Sequence, residues 1–361
     1  MKLSTRLFFF FTVACSILAL VAFLSGSEES PSVCVGRPRL PDQDLFNRLH
    51  LSPLKDLVLA APSPSLSSSL LLLVPSHVSH VSQRSLIRSL WANPRESTAI
   101  SSGSARVIFL VGMEEKRRSS ERSIRDEAAQ LGDILLVDVN DSYHQLVYKE
   151  LVGFRWLAEI ASDVDFVMKA DEDTVVDVDR LISHLRSSFP STENHLSLFG
   201  PSRPIISCIT LQGIPPRRAP CSRWYVPEEA FAESAFPVYC NGPVYVMRRK
   251  TLTSLVNASR LLKVFEVEDA FWTGVAAQAA GVRRSCAAGV FSLRYETASA
   301  CALFPGGSPA LCALPSHNHP DWDSLSPSVV LNSTWQTLRG VACRSTIGEI
   351  KAGFLSIFKC L

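Results

Sequence analysis

Hydrophobic and polar positions along the chain predict strands and helices that follow one another. Short apolar runs closed by Pro or Gly are typical of buried strands, and apolar residues at helical spacing are typical of amphipathic helices. We expect strands at 70–74, 106–111, 134–139 and 166–168. We expect helices at 119–131, 143–160 and 178–185. This alternation predicts an α/β domain with a mostly parallel sheet and helices on both faces.

The first apolar run is long enough to cross a membrane. Residues 7–24 are almost wholly apolar, and a bilayer core needs about 20 such residues in a helix. Two basic residues precede the run and two glutamates follow it, which predicts a cytosolic N-terminus and a lumenal remainder. A cleaved signal peptide is the alternative, but its apolar region is usually shorter and ends in a small-residue cleavage site.

Composition divides the chain into five segments. We predict a cytosolic tail (1–6), a transmembrane anchor (7–24), a Ser-, Pro- and Leu-rich stem (25–67), one folded domain (68–345) and a C-terminal tail (346–361). Ten cysteines without a CxxC pair favour the disulfides of an oxidising compartment over a zinc site. Asn140, Asn257 and Asn332 begin N-glycosylation triplets. A formal charge of +2 gives no reason to expect a nucleic-acid partner.

The sharpest candidate chemistry is the acid triplet Asp171-Glu172-Asp173, which directly follows the predicted strand at 166–168. Adjacent carboxylates repel one another, and a hard divalent cation removes that cost. Asp171 and Asp173 project to the same side of an extended segment, whereas Glu172 faces away. The triplet therefore predicts a site for Mg²⁺ or Mn²⁺ with a bound diphosphate. A solvated acidic turn that caps the next helix is the alternative.

Two further segments carry candidate chemistry. Glu268-Asp269 begins a predicted helix in an apolar setting, which suits either a general base or a structural helix cap. Trp224 and the run Phe236 to Gly242 combine aromatic residues with Pro and Gly. Such a loop packs on sugar rings or bases, or belongs to the core.

Six segments, taken in order, resemble the β-1,3-galactosyltransferase family, which includes β-1,3-N-acetylglucosaminyltransferases and is related to Fringe. They are Arg84 to Trp91, Phe109 to Gly112, Leu131 to Ile134 with Asp138 to Lys149, Phe166 to Asp173, Trp224 to Val226 with Phe236 to Tyr245, and Glu268 to Gly274. The resemblance covers roughly residues 68–340. It implies a type II Golgi membrane protein with a lumenal GT-A-type catalytic domain, an inverting mechanism, a UDP-sugar donor, a glycan acceptor and Mn²⁺.

The resemblance also implies roles for single residues. Asp171 and Asp173, with a histidine near the C-terminus, would hold Mn²⁺ on the diphosphate of UDP; His319 is slightly favoured over His317. Asp269 would deprotonate the acceptor 3-hydroxyl. The remaining candidates would support the nucleotide pocket, if they are not structural (Arg84, Arg88), or bind substrate (Trp224, Tyr239, Gly242, Glu268).

The chain departs from the family pattern at three positions. Glu172 replaces the middle aspartate, Ala270 replaces a valine, and Pro243 stands where a small residue is usual. We expect transfer of galactose from UDP-galactose to a glycoprotein or glycolipid, with N-acetylglucosamine or N-acetylgalactosamine as alternative sugars. A non-catalytic glycan-binding protein and a glycosidase that uses Asp173 and Asp269 are the competing hypotheses.

Overall fold

The computed structural model describes residues 40–63, 68–114, 118–161, 163–188, 204–287, 290–292, 313–318 and 323–340. The predicted cytosolic tail, membrane anchor and C-terminal tail lie outside these ranges, as does His319. Within the described ranges, no helix combines the length and apolar character needed to span a bilayer.

All seven elements predicted from the pattern are present, with boundaries that differ by three residues or fewer. The strands are β1 (Val58–Ala60), β2 (Leu70–Ser76), β3 (Ala105–Met113), β4 (Ile134–Asn140), β5 (Phe166–Ala170), β6 (Thr174–Val176), β7 (Ile205–Leu211), β8 (Tyr239–Arg248), β9 (Arg283–Cys286) and β10 (Ala313–Pro315). The helices are α1 (Gln43–Leu51), α2 (Leu54–Leu57), α3 (Val81–Ser89), α4 (Thr98–Ser101), α5 (Arg118–Leu131), α6 (Leu146–Glu159), α7 (Val178–Ser188), α8 (Arg249–Ser259), α9 (Ala277–Ala279) and α10 (Pro327–Gly340). A π-helix (Ala270–Ala276) leads directly into α9.

The main sheet is mixed around a parallel centre. Its eight strands lie in the order β1-β4-β3-β2-β5-β8-β7-β9. The strands β4, β3, β2 and β5 run parallel, as do β7 and β9, whereas β1 and β8 are antiparallel to their neighbours. The prediction of a mostly parallel sheet thus holds for four of the seven pairings. It fails around β8 because no crossover helix separates β7 from β8, and an antiparallel pair needs none.

Helices cover both faces of the sheet, as predicted. All seven residues of β2 are buried. Leu71 and Leu73 pack into a cluster with α1, α6, α8 and the π-helix, while Leu70, Leu72 and Val74 pack into a cluster with α3, α5, α7 and α10. A strand enclosed on both faces reads as a continuous apolar run.

The folded domain begins earlier than residue 68. Helix α1 packs against α6 and the π-helix, with the ring of Phe46 buried and its centroid 5.4 Å from that of Phe271. The backbone N–H of Asp42 donates to the hydroxyl of Tyr148 at 2.7 Å. Residues 40–60 therefore belong to the domain, which corrects the stem predicted for 25–67.

One disulfide joins two neighbouring strands within the described residues. Cys208 of β7 is bonded to Cys240 of β8, and Cys221 and Cys286 are also disulfide-bonded. The expectation of disulfides is confirmed for these cysteines.

Candidate functional site

The acid triplet forms the turn between β5 and β6, at the carboxyl end of the parallel strands. Glu172 turns toward α3: its Oε1 lies 2.5 Å from Nδ1 of His80, and its carbonyl accepts from Nε2 of Gln83 at 2.8 Å. Asp171 and Asp173 have other partners. Because the triplet follows the carboxyl end of the parallel strands, it lies where α/β sheets bind ligands.

Asp173 meets a histidine from the C-terminal part of the chain. The backbone N–H of Ser316 donates to the carbonyl of Asp173 at 2.7 Å, and Nδ1 of His317 lies 2.7 Å from Oδ2 of the same aspartate. This hydrogen bond raises the pKa of His317. The structure thus places His317 at the triplet, whereas His319, the histidine slightly favoured by the resemblance, lies outside the described ranges.

The side chains around the triplet are of types that suit a metal ion whose remaining ligands come from a bound diphosphate. No group of three or more potential metal-ligating side chains is assembled among the described residues. However, Oδ1 of Asp173 is buried and has no hydrogen-bond partner within the described chain. The side chain of Asp171 is 35% exposed. Oxygen and imidazole donors with open positions suit Mn²⁺ when phosphate oxygens complete the coordination.

Lys169 connects the triplet to the rest of the site. Its buried Nζ donates to Oδ1 of Asp171 at 2.5 Å and to the carbonyl of Gly242 at 2.8 Å, and lies 3.6 Å from Oε1 of Glu268. Partial burial raises the pKa of Asp171, and the charge of Lys169 opposes that shift. The sequence analysis missed Lys169, although a single charge in a strand that is otherwise apolar was the available signal.

Asp269 is held at the start of the π-helix. Its Oδ1 accepts from the backbone N–H of Ala270 at 2.7 Å. Its carbonyl accepts from the hydroxyl of Thr273 at 2.6 Å, and that hydroxyl in turn accepts from the N–H of Cys240 in β8 at 2.8 Å. Burial, followed by the charge of Glu268, raises the pKa of Asp269 to about 8. π-Helices occur frequently at functional sites.

Strand β8 approaches Asp269 closely at Gly242. A side-chain carbon at this position would lie 3.3 Å from Oδ2 of Asp269, so glycine allows the close approach. The carbonyl of Pro243 accepts from the N–H of Asp171 at 2.9 Å, and the carbonyl of Asp171 accepts from Thr174 at 3.0 Å. Pro243 has no N–H to donate to the carbonyl of Asp171. Because that carbonyl already accepts from Thr174, the proline leaves no acceptor unpaired at this position.

Aromatic and cationic side chains lie near the acidic residues Glu268 and Asp269. The guanidinium carbon of Arg223 lies 3.9 Å from the centre of the Tyr143 ring, and Trp224 is 51% exposed. Burial and the charge of Glu268 raise the pKa of Tyr143 to about 12, against the effects of Arg223 and a hydrogen bond with Trp224. Trp224 therefore lies beside Tyr143. Tyr143 belongs to a segment that resembles the family, but no role was predicted for it.

Tyr239 does not present an open face to a substrate. Its side chain is buried, and its ring packs against Phe236 with centroids 5.7 Å apart. Burial and the nearby charge of Asp269 raise its pKa. The described contacts of the Tyr239 ring are thus packing contacts, and substrate binding by this residue stays a prediction.

Arg84 and Arg88 lie in an internal ion network. Arg84 is fully buried. Its five guanidinium hydrogen bonds go to both carboxylate oxygens of Glu127, to Ser76 and to the carbonyls of His77 and Val78. Arg88 pairs with Glu127 and Asp133 at 2.8 and 2.7 Å. Arg84 uses all five of its guanidinium N–H groups and holds the segment after β2, which favours the structural alternative for this residue. Arg88 links α5 to the residue before β4, and its support of a nucleotide pocket stays a prediction.

A second buried pair holds the ends of the parallel strands and was also missed as a site feature. Nζ of Lys149 donates to Oδ1 of Asp141 at 2.6 Å. Oδ2 of Asp141 accepts from the backbone N–H groups of Val78 and Gly112 at 2.7 and 3.2 Å. This pair fixes the segments that follow β2 and end β3.

Comparison with known proteins gives a consistent family. The family model described as galactosyltransferase matches residues 82–287, more than half of the chain. The chain is 25% identical over 221 residues to the beta-1,3-galactosyltransferase bre-2 of Caenorhabditis elegans, covering 61% of this chain and 60% of that protein. It is 28% identical over 224 residues to N-acetyllactosaminide beta-1,3-N-acetylglucosaminyltransferase 3 of Homo sapiens, covering 61% of this chain and 56% of that protein.

The matched part spans little more than half the length of these curated relatives. Among solved structures, an active-site mutant of LgtC has a TM-score of 0.34 and 13% identity, covering 77% of this chain and 98% of that chain. A TM-score at this level supports no conclusion about the fold.

Proposed function

The chain belongs to the galactosyltransferase family, and on that premise we propose that it is an inverting, UDP-sugar-dependent β-1,3-glycosyltransferase with a GT-A-type fold. It moves galactose from UDP-galactose to the 3-hydroxyl of an acceptor sugar on a glycoprotein or glycolipid. The observation that carries the proposal is that Lys169 lies 2.5 Å from Asp171 and 3.6 Å from Glu268, the neighbour of Asp269. The carboxylates proposed to hold the metal and diphosphate thus lie close to the proposed base.

In the proposed reaction the donor side is formed by the acid triplet. Asp173 and His317, with Asp171, would hold a Mn²⁺ ion together with the diphosphate of UDP. When bound, such an ion supplies positive charge that offsets the charge developing on the departing UDP. Glu172, paired with His80, is not required for this role.

The acceptor side is centred on Asp269. Its Oδ1 is engaged by the N–H of Ala270, so Oδ2, which faces Gly242, receives the proton of the acceptor 3-hydroxyl. The acceptor oxygen attacks C1 of the donor sugar from the face opposite UDP, and the bond from C1 to the UDP oxygen breaks. An α-linked donor therefore gives a β-linked product. Trp224 offers an exposed ring on which an acceptor sugar packs.

A donor screen tests this function. The full-length protein is incubated with UDP-galactose, UDP-N-acetylglucosamine or UDP-N-acetylgalactosamine, with and without Mn²⁺ and acceptor, and UDP release is measured. We expect acceptor-dependent release from UDP-galactose only in the presence of the metal. Preference for UDP-N-acetylglucosamine would instead support the alternative donor, which the name of the human relative favours. Metal-independent hydrolysis would support a glycosidase.

The pH dependence of kcat/KM is expected to show a rising limb. Asp269 accepts a proton only when ionised, and its pKa is raised to about 8. Activity should therefore be low at pH 6 and increase through pH 8, with no loss of the base form above that value. Burial is the main cause of this raised pKa and the charge of Glu268 is the second, so Glu268→Gln should move the limb to lower pH without abolishing it. A profile of kcat/KM that is flat from pH 6 to pH 9 in the wild type would contradict this assignment.

N-glycans provide a test of the proposed lumenal orientation in the Golgi membrane. Asn140, Asn257 and Asn332 are all exposed, and an oligosaccharide is added only to sequons that enter the secretory lumen. For the chain made in animal cells, glycosidase F treatment should increase gel mobility. The mobility of the variant in which all three asparagines are replaced with Gln should be the same before and after glycosidase F treatment. Absence of any shift in the wild type would count against the predicted orientation.

A further inference from the structure

Lys169 joins parts of the chain that the proposed reaction assigns to different substrates. It stands in β5, all five residues of which are buried. Asp171 belongs to the acid turn, Gly242 to β8, and Glu268 to the segment that leads into the π-helix. The ammonium group bonds to the first two and lies within ion-pair distance of the third.

Burying this ammonium group is costly unless it is fully partnered. An unpaired charge in the interior is strongly destabilising, and an apolar side chain of similar volume avoids that cost. Lys169 is fully buried, and the rings and aliphatic residues around β5 would accommodate such a side chain. The partners of Lys169 are instead three polar groups: the carboxylate of Asp171 on the donor side, the carbonyl of Gly242, and the carboxylate of Glu268 on the acceptor side. The arrangement holds the two sides at a fixed separation.

We infer that Lys169 is a positioning residue that fixes the donor-side carboxylate Asp171 relative to the acceptor-side pair Glu268 and Asp269. It acts through these carboxylates and touches neither substrate. The inference rests on the proposed function. Without the ammonium group the donor still binds, but the base is displaced from the acceptor hydroxyl. Water then competes better for C1 of the bound sugar, and the donor is hydrolysed to free sugar and UDP.

The test compares Lys169→Met, which keeps an unbranched side chain one atom shorter and removes the charge, with Glu150→Gln as the matched control. Glu150 is fully buried near Lys169, and neither of its carboxyl oxygens has a hydrogen-bond partner within the described chain. Burial raises its pKa well above the usual range, and Gln is its uncharged counterpart of nearly equal size. Both full-length variants are assayed for transfer to an acceptor and for donor hydrolysis without acceptor.

Lys169→Met should reduce transfer about a hundredfold, the scale on which a small misplacement of reacting groups lowers a rate. Its hydrolysis should fall much less, so that the ratio of transfer to hydrolysis drops about tenfold or more. Glu150→Gln should leave both rates close to those of the wild type. Unchanged transfer by Lys169→Met would overturn the inference, and so would parallel losses at a constant ratio, which indicate a purely structural role.

If Lys169→Met does not fold, Glu268→Gln provides the second measurement. This variant removes the acceptor-side end of the bridge. Through Lys169 it should change the Kd for UDP, measured by calorimetry with Mn²⁺, about threefold or more. A Kd equal to that of Glu150→Gln and the wild type would overturn the inference. If the wild type uses no common UDP-sugar in either reaction, the proposed function itself is wrong.

Discussion

Replacing Asp269 with Asn should reduce kcat about a thousandfold, within the range that a positioned general base contributes. The amide cannot accept the acceptor proton, but its oxygen still accepts the hydrogen bond from Ala270, which is 2.7 Å long in the wild type. The hydrogen bond from the Thr273 hydroxyl to the backbone carbonyl of residue 269 is also unaffected by the change. The variant should therefore fold normally. Initial rates at saturating donor and acceptor, together with the thermal unfolding midpoint, measure both effects.

Asp179→Asn is the matched control for this variant. Asp179 also lies at a helix N-terminus, where its carboxylate accepts from the backbone N–H groups of Thr98 and Ala99 at 3.1 and 2.7 Å. Its replacement should lower the unfolding midpoint slightly and leave kcat unchanged. If Asp269→Asn retains more than about a tenth of the wild-type kcat, Asp269 is not the base.

Asp173→Ala should produce the second large effect, a loss of metal-dependent nucleotide binding. Removing even an outer partner of a metal ligand costs about 10–100-fold in affinity, so removing a ligand should weaken the binding of UDP with Mn²⁺ at least that much. His317→Ala should produce a smaller loss in the same direction, because it leaves both aspartates in place. Calorimetric titration with UDP, with and without Mn²⁺, measures these affinities.

Glu172→Gln provides the control within the same turn. Its carboxylate lies 2.5 Å from His80 and away from His317, so its replacement should leave the metal-dependent affinity within about twofold of the wild type. Equal losses for Glu172→Gln and Asp173→Ala would mean that the triplet attracts the ion only by its total charge. That result would contradict the division of roles within the triplet.

Much of the fold was predictable because burial of β2 to β5 on both faces requires continuous apolar runs. The same reasoning failed for α1. Its short apolar pattern around Phe46 resembles the Ser-, Pro- and Leu-rich segment near it, and only contact with Tyr148 and Phe271 identifies it as part of the core. Local periodicity cannot distinguish such a helix from a stem.

The sequence predicts candidate residues where the chemistry follows local order, as in Asp171, Asp173 and Asp269, and their roles stay predictions. It was not predictable where partners come from distant parts of the chain. The burial of Arg84 depends on Glu127, which lies 43 residues away in sequence. The contact of His317 with Asp173 spans 144 residues. A pattern analysis identifies residue types suited to a role, whereas only the tertiary contacts decide whether their polar atoms are free.

The anomeric configuration of the product tests the central claim most directly. The full-length protein is incubated with UDP-galactose, Mn²⁺ and an acceptor that ends in N-acetylglucosamine or galactose, and the purified product is analysed by proton NMR and linkage analysis. Inversion by an acceptor hydroxyl activated at Asp269 predicts a new β-1,3 linkage, absent when Asp269→Asn replaces the wild type. An α-linked product, or full activity of Asp269→Asn, would contradict the account.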